Sequence, residues 1–81
     1  MPYTASVNVM LKDGISDPQG LTIERALPAL GYEGVRGVRV GKRIDLEIEA
    51  STADEARSRV EEMCRRLLAN PVIESFEVIV E

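Results

Sequence analysis

GVRGVRVGKRIDLEIEA, residues 34–50, is the stretch on which the fold turns. Its second half alternates without a break, Ile44, Leu46 and Ile48 against Asp45, Glu47 and Glu49. That period belongs to a strand with one buried face. Val38 and Val40 carry the same period on the near side of Gly41, so the stretch reads as a hairpin. Register constrains its turn. A two-residue loop over Gly41 and Lys42 sets Val40 opposite Arg43 and Val38 opposite Asp45. A three-residue loop over Gly41, Lys42 and Arg43 sets Val40 opposite Ile44 and Val38 opposite Leu46. Apolar residues pair best with apolar ones across a sheet, which predicts the three-residue loop or an equivalent bulge.

Outward from the hairpin, each flank offers a helix and then a strand. On the N-terminal side, YTASVNVML (3–11) alternates, with Tyr3, Ala5, Val7, Val9 and Leu11 on one face. LKDGISDPQG (11–20) connects it to LTIERALPALG, where Ile23, Ala26, Leu27 and Leu30 recur at helical spacing. Asp17 followed by Pro18 suits a helix start, Gly31 suits a stop, and Pro28 predicts a kink or an early end. On the C-terminal side, Thr52 and Glu55 have the spacing of a capping box. Ala53, Ala56, Val60, Met63, Cys64, Leu67 and Leu68 then form one apolar stripe, closed by Asn70–Pro71. VIESFEVIVE (72–81) alternates again, with Phe76, Val78 and Val80 inward and Ile73 and Ile79 interrupting the polar side.

The predicted order is β-α-β-β-α-β, a ferredoxin-like element order. The fold class expected is α+β: a two-layer sandwich over residues 1–81 as a single domain, two helices on one face of a four-stranded, largely antiparallel sheet. Strand order stays open. Two helices cover one sheet face only, and Met10, Ile73 and Ile79 suggest that the other face meets a partner.

Composition narrows the chemistry. The 81 residues contain one cysteine and no histidine. A disulfide is excluded, and so are Ser/His and Cys/His nucleophile pairs. A domain of this size buries only about 60% of its unfolded surface, which favours folding against a partner, most simply a second copy. The lone thiol and the absence of a leader segment point to the cytoplasm, and no apolar run is long enough to span a membrane. Net charge is −4. Residues 1–43 hold six basic and four acidic side chains; residues 44–81 hold four and ten. This balance argues against nucleic-acid binding, and the chain lacks the stacking aromatics of an RNA-recognition module.

The loop at 11–20 matches neither GxGxxG nor GxxxxGK[ST], and Asp13 and Asp17 would repel an anion there, so it reads as a capped connection. Arg36, Arg39, Lys42 and Arg43 are either a solvated hairpin tip or a grip for an acidic partner. Cys64, inside the stripe, reads as an inert buried thiol. Glu47, Glu49, Glu61 and Glu62 read as solvent faces.

LKDGISDPQG, AL..LGY..V..VRVGKRIDLEIE and EEMCRRLLANPVIESFEVIVE together resemble the PurS family, the small subunit of phosphoribosylformylglycinamidine synthase. The resemblance spans essentially the whole chain. It implies a subunit with no catalytic, cofactor or metal site of its own. Such a subunit dimerises, or forms tetramers, and bridges a glutaminase subunit and an ATP-dependent synthetase subunit. Ammonia then reaches formylglycinamide ribonucleotide, in de novo purine biosynthesis, without escaping. ATP, Mg and glutamine are expected on the other subunits. Carried onto this sequence, the DPQG motif names Asp17, Pro18, Gln19 and Gly20 as contact residues, and the VRVGK motif names Arg39, Gly41 and Lys42. The alternative reading is a dimeric regulatory module of the same element order that binds a small molecule such as an amino acid.

Overall fold

A computed structural model describes all residues, Met1–Glu81. The sheet has three strands in the order β2-β1-β3, both pairings antiparallel. They are β1 (Pro2–Leu11), β2 (Gly41–Glu49) and β3 (Glu74–Val80). Two helices, α1 (Pro18–Ala26) and α2 (Ala53–Met63), follow β1 and β2. The strands and helices thus alternate in the expected order with one strand missing. The expected four-stranded sheet is corrected to three.

The missing strand is the first half of the hairpin. Val38 and Val40 never join the sheet, and no three-residue turn forms over 41–43. The apolar face of β2 finds a longer mate instead: Ile44 stands opposite Val7, Leu46 opposite Ala5 and Ile48 opposite Tyr3. Before Val38 the chain turns through Gly34 and Gly37, at φ of 81° and 68°. These left-handed conformations break an extended run. The amides of Val38 and Val40 are taken by carboxylates: Val38 N donates to Glu24 at 3.0 Å and Val40 N to Asp17 at 2.8 Å. A segment already satisfied by side chains gains little by pairing with a strand.

The core lies under α2. Ala56, Val60 and Cys64 are completely buried against Ala5, Val7 and Val78 of the inner sheet face. The alanines on both sides let helix and sheet approach closely. Thr52 Oγ1 accepts from Glu55 N at 3.1 Å, and Glu55 Oε2 accepts from Ser51 N at 3.3 Å, so the capping box forms with its return bond one residue early. At its far end α2 widens into a π-turn, Cys64–Leu68, closed by Ala69 N donating to Cys64 O at 3.0 Å. The extra residue rotates the stripe. Cys64 and Ala69 point inward, while Leu67, expected in the core, is 83% exposed.

The second correction concerns α1. It does not lie on the sheet beside α2; it packs mainly on the short 3-10 turn Pro28–Leu30 and the segment around Val38. The helix ends before Pro28, and Gly31 closes the turn at φ 94°. The arm so formed stretches the molecule to 51 × 25 × 14 Å with a radius of gyration of 16.3 Å. A compact chain of this length would have about 12 Å. Only 11 of the 81 residues are buried, and Ile44 and Leu46 on the inner face of β2 remain half-covered.

The outer sheet face is mainly polar. Ser6 Oγ donates to Asp45 at 2.8 Å, and Arg43 Nε donates to the same carboxylate at 2.9 Å. The Arg43 bond first, and the Ser6 bond second, hold the Asp45 carboxyl below its ordinary range. Ile79 is the large apolar residue exposed there, while Met10 folds over Gly41.

Candidate functional site

The two sequence motifs meet where the arm leaves the sheet. Asp17 stands at the start of α1, its Oδ1 accepting from Gly20 N at 3.0 Å as a helix cap. Its other oxygen holds Val40 N, so one side chain joins the DPQG turn to the VRVGK segment. Glu24, two helical turns further, repeats the clamp on Val38. Gly20 lies between them and is buried; a β-carbon there would collide with the Val38 carbonyl oxygen. Gly41 is required for a similar reason, because the Val9 carbonyl oxygen, with the Met10 side chain beside it, occupies the space its β-carbon would need. Both glycines permit close approach, and neither sits at positive φ.

Between the arm and the sheet end lies a hollow of about 310 Å³ lined by Asp17, Pro18, Gln19, Gly41 and Lys42 together with Val9, Leu11, Val40 and Glu74. Five of the seven residues singled out by sequence therefore share one wall. Gly20 sits beneath the wall and supports it. Arg39 does not line the hollow: its guanidinium pairs with Asp13 at 3.2 Å on the surface, an exposed contact of small energetic value, near enough to Asp17 to favour its charged form. Sequence reasoning missed Glu24 and Glu74. For Glu24 a signal was available, since Asp17 and Glu24 are seven residues apart and face the same way on a helix.

The two backbone N–H bonds, Gly20's first, hold the Asp17 carboxyl below its ordinary range, so it stays an acceptor at neutral pH and is a weak base. Cys64 is remote and buried; desolvation first, then Glu61, pushes its thiol up, against an opposing effect of Arg65. Lys42 contributes a cation to a lining whose apolar part is Val9, Leu11 and Val40, and Glu74 contributes a carboxylate that accepts from Asn70 N at 2.6 Å. Such a surface can receive a partner's chain through a mixed apolar and charged contact.

Residues 4–81 match the PurS family, described as phosphoribosylformylglycinamidine (FGAM) synthase. The chain is 46% identical to the phosphoribosylformylglycinamidine synthase subunit PurS of Methanocaldococcus jannaschii, over 98% of this chain and 95% of that one. It is 44% identical to the Bacillus subtilis PurS subunit, over 98% and 93%. The crystal structure of the Methanocaldococcus jannaschii protein superposes with a TM-score of 0.87, over the same 98% and 95%. A chain in the PurLQS structure of Thermotoga maritima superposes at 0.90 with 36% identity, covering 100% of this chain and 99% of that one.

Proposed function

This chain belongs to the PurS family of FGAM synthase subunits, and from that premise we propose that it is the bridging subunit of a three-polypeptide synthase in the cytoplasm. It holds a glutaminase subunit and an ATP-dependent synthetase subunit together, so that ammonia released from glutamine reaches formylglycinamide ribonucleotide without loss to solvent. ATP, Mg and glutamine bind on those other subunits. The chain's own part is positional.

The observation that carries this reading is the arm. A 51 Å molecule with so thin a core is poorly suited to enclosing a substrate and well suited to spanning two bodies. A homodimer completes it. Leu21, Ile23, Leu30 and Tyr32 of the arm are exposed, and the half-covered Ile44 and Leu46 of a second copy offer them an apolar surface. The hollow holding Asp17, Gln19 and Lys42 is the first docking point for a larger subunit. A regulatory ligand-binding module is less well supported, because both Asp17 oxygens are already engaged by backbone.

Co-purification with the synthetase and glutaminase subunits of the same organism tests the proposal. A stable ternary complex is expected, weakened by Lys42→Glu with the homodimer intact. Calorimetric titration with free amino acids should give no binding heat. A tight amino-acid isotherm and no complex would replace the bridge by the regulatory reading.

A further inference from the structure

The far end of α2 carries a second surface that the hollow beside Asp17 does not use. Leu67 is 83% exposed and Val72, just past the helix, is 78% exposed. With Met63 and Leu68, Leu67 lines an open hollow of about 390 Å³ whose rim holds Arg59, Glu62 and Arg66. It shares no lining residue with the hollow at the arm.

Two features set this surface apart from incidental exposure. The first is its origin. A regular α-helix would turn Leu67 toward the sheet with Val60 and Cys64; the π-turn at Cys64–Leu68 turns it out. Such turns are intrinsically unfavourable and concentrate at functional positions. The second is charge. Residues 44–81 contain ten acidic and four basic side chains. Two of those four, Arg59 and Arg66, line this hollow, Arg59 also donating to Glu49 O at 2.7 Å and Arg66 paired with Glu62 at 3.5 Å. The most acidic half of the molecule thus presents two of its four cations beside an exposed leucine.

We propose that the Leu67 surface is a docking site for an apolar, acid-rimmed segment of a partner polypeptide other than this chain. The inference rests on the bridging reading and deepens it. A bridge needs two separate contacts, and this surface is the second. Self-association through it is disfavoured. Isologous pairing repeats the same patch on both sides and so sets a rim of two arginines and one glutamate, net positive, against its own copy. The exposed leucine is the anchor, and the arginines supply orientation and encounter rate.

The test is titration of the full-length protein against the synthetase and glutaminase subunits of the same organism, singly and together. Variants Leu67→Asp and Arg66→Glu are compared with wild type. Leu67 is solvent-exposed, so Leu67→Asp should keep the wild-type Tm and homodimer mass while affinity for one subunit falls roughly tenfold or more. Arg66→Glu should weaken the same contact and flatten its salt dependence. Wild-type binding with unchanged affinity in both variants would overturn this inference and leave the bridging reading standing. Loss of the homodimer in Leu67→Asp would assign the surface to a second copy and overturn it too. No wild-type binding to either subunit would overturn both.

Discussion

Gly20 has no room for a methyl group, because the carbonyl of Val38 stands where a β-carbon would go. Gly20→Ala should therefore push α1 away from residues 38–40 and cost about 1–3 kcal/mol, as overpacking generally does. Loss of amide-exchange protection at Val38 and Val40 would report it. The carboxylates beside Gly20 make a related prediction. Glu24→Gln keeps an acceptor for the Val38 amide and should preserve its protection, while Glu24→Ala should abolish it. Asp17 has a sign that can be worked out. Its carboxyl is held below the ordinary range in the folded protein, so the stabilisation is fully present above the ordinary carboxylate pKa. It disappears as pH falls through the lowered folded value. The protection factor of the Val40 amide, its exchange corrected for the intrinsic pH dependence, should accordingly hold from neutral pH down to about pH 4 and fall below it. A loss of protection centred near neutrality would contradict the clamp.

At the scale of elements, α2 and its π-turn separate core from surface. Val60→Ala removes a completely buried side chain and should cost about 1.5–3 kcal/mol in a denaturant titration. Leu67→Ala should shift stability by no more than about 0.5 kcal/mol, as a surface change. A plain helical stripe predicts equal costs. The difference between these two residues marks what was legible. β1, β3, the capped start of α2 and the end of α1 before Pro28 could be read because each rests on local period or local caps. The hairpin could not. Its apolar alternation was real in β2, but periodicity names a face without naming the neighbour, and β1 offered a longer register than Val38 and Val40. The π-turn escaped for a similar reason, because a 3.6-residue pattern continues on paper where the backbone adds a residue. In the candidate site, five of the seven motif residues line one hollow. Glu24 and Glu74 were missed because their importance comes from tertiary placement.

At the scale of the molecule, the arm and the thin core are what the proposed homodimer would complete. Stability of such a chain should depend on its own concentration, with Tm falling on dilution as the second copy is lost. A Tm independent of concentration over several decades would contradict the homodimer. The polar outer sheet face, knit by Ser6, Arg43 and Asp45, and the displaced α1 both argue that partners are met at the arm and around β2 and α2. Met10, Ile73 and Ile79 drew attention to the outer face in the sequence. In the fold Met10 covers Gly41 and Ile73 is half-buried, which leaves Ile79 as a single exposed residue.

The most direct test compares two nitrogen sources. FGAM formation by the synthetase and glutaminase subunits is measured with and without this chain, once with glutamine and once with a saturating ammonium salt. The account predicts that glutamine-dependent formation requires the chain and that ammonium-dependent formation does not. Equal glutamine-dependent rates in its absence would contradict the bridging role.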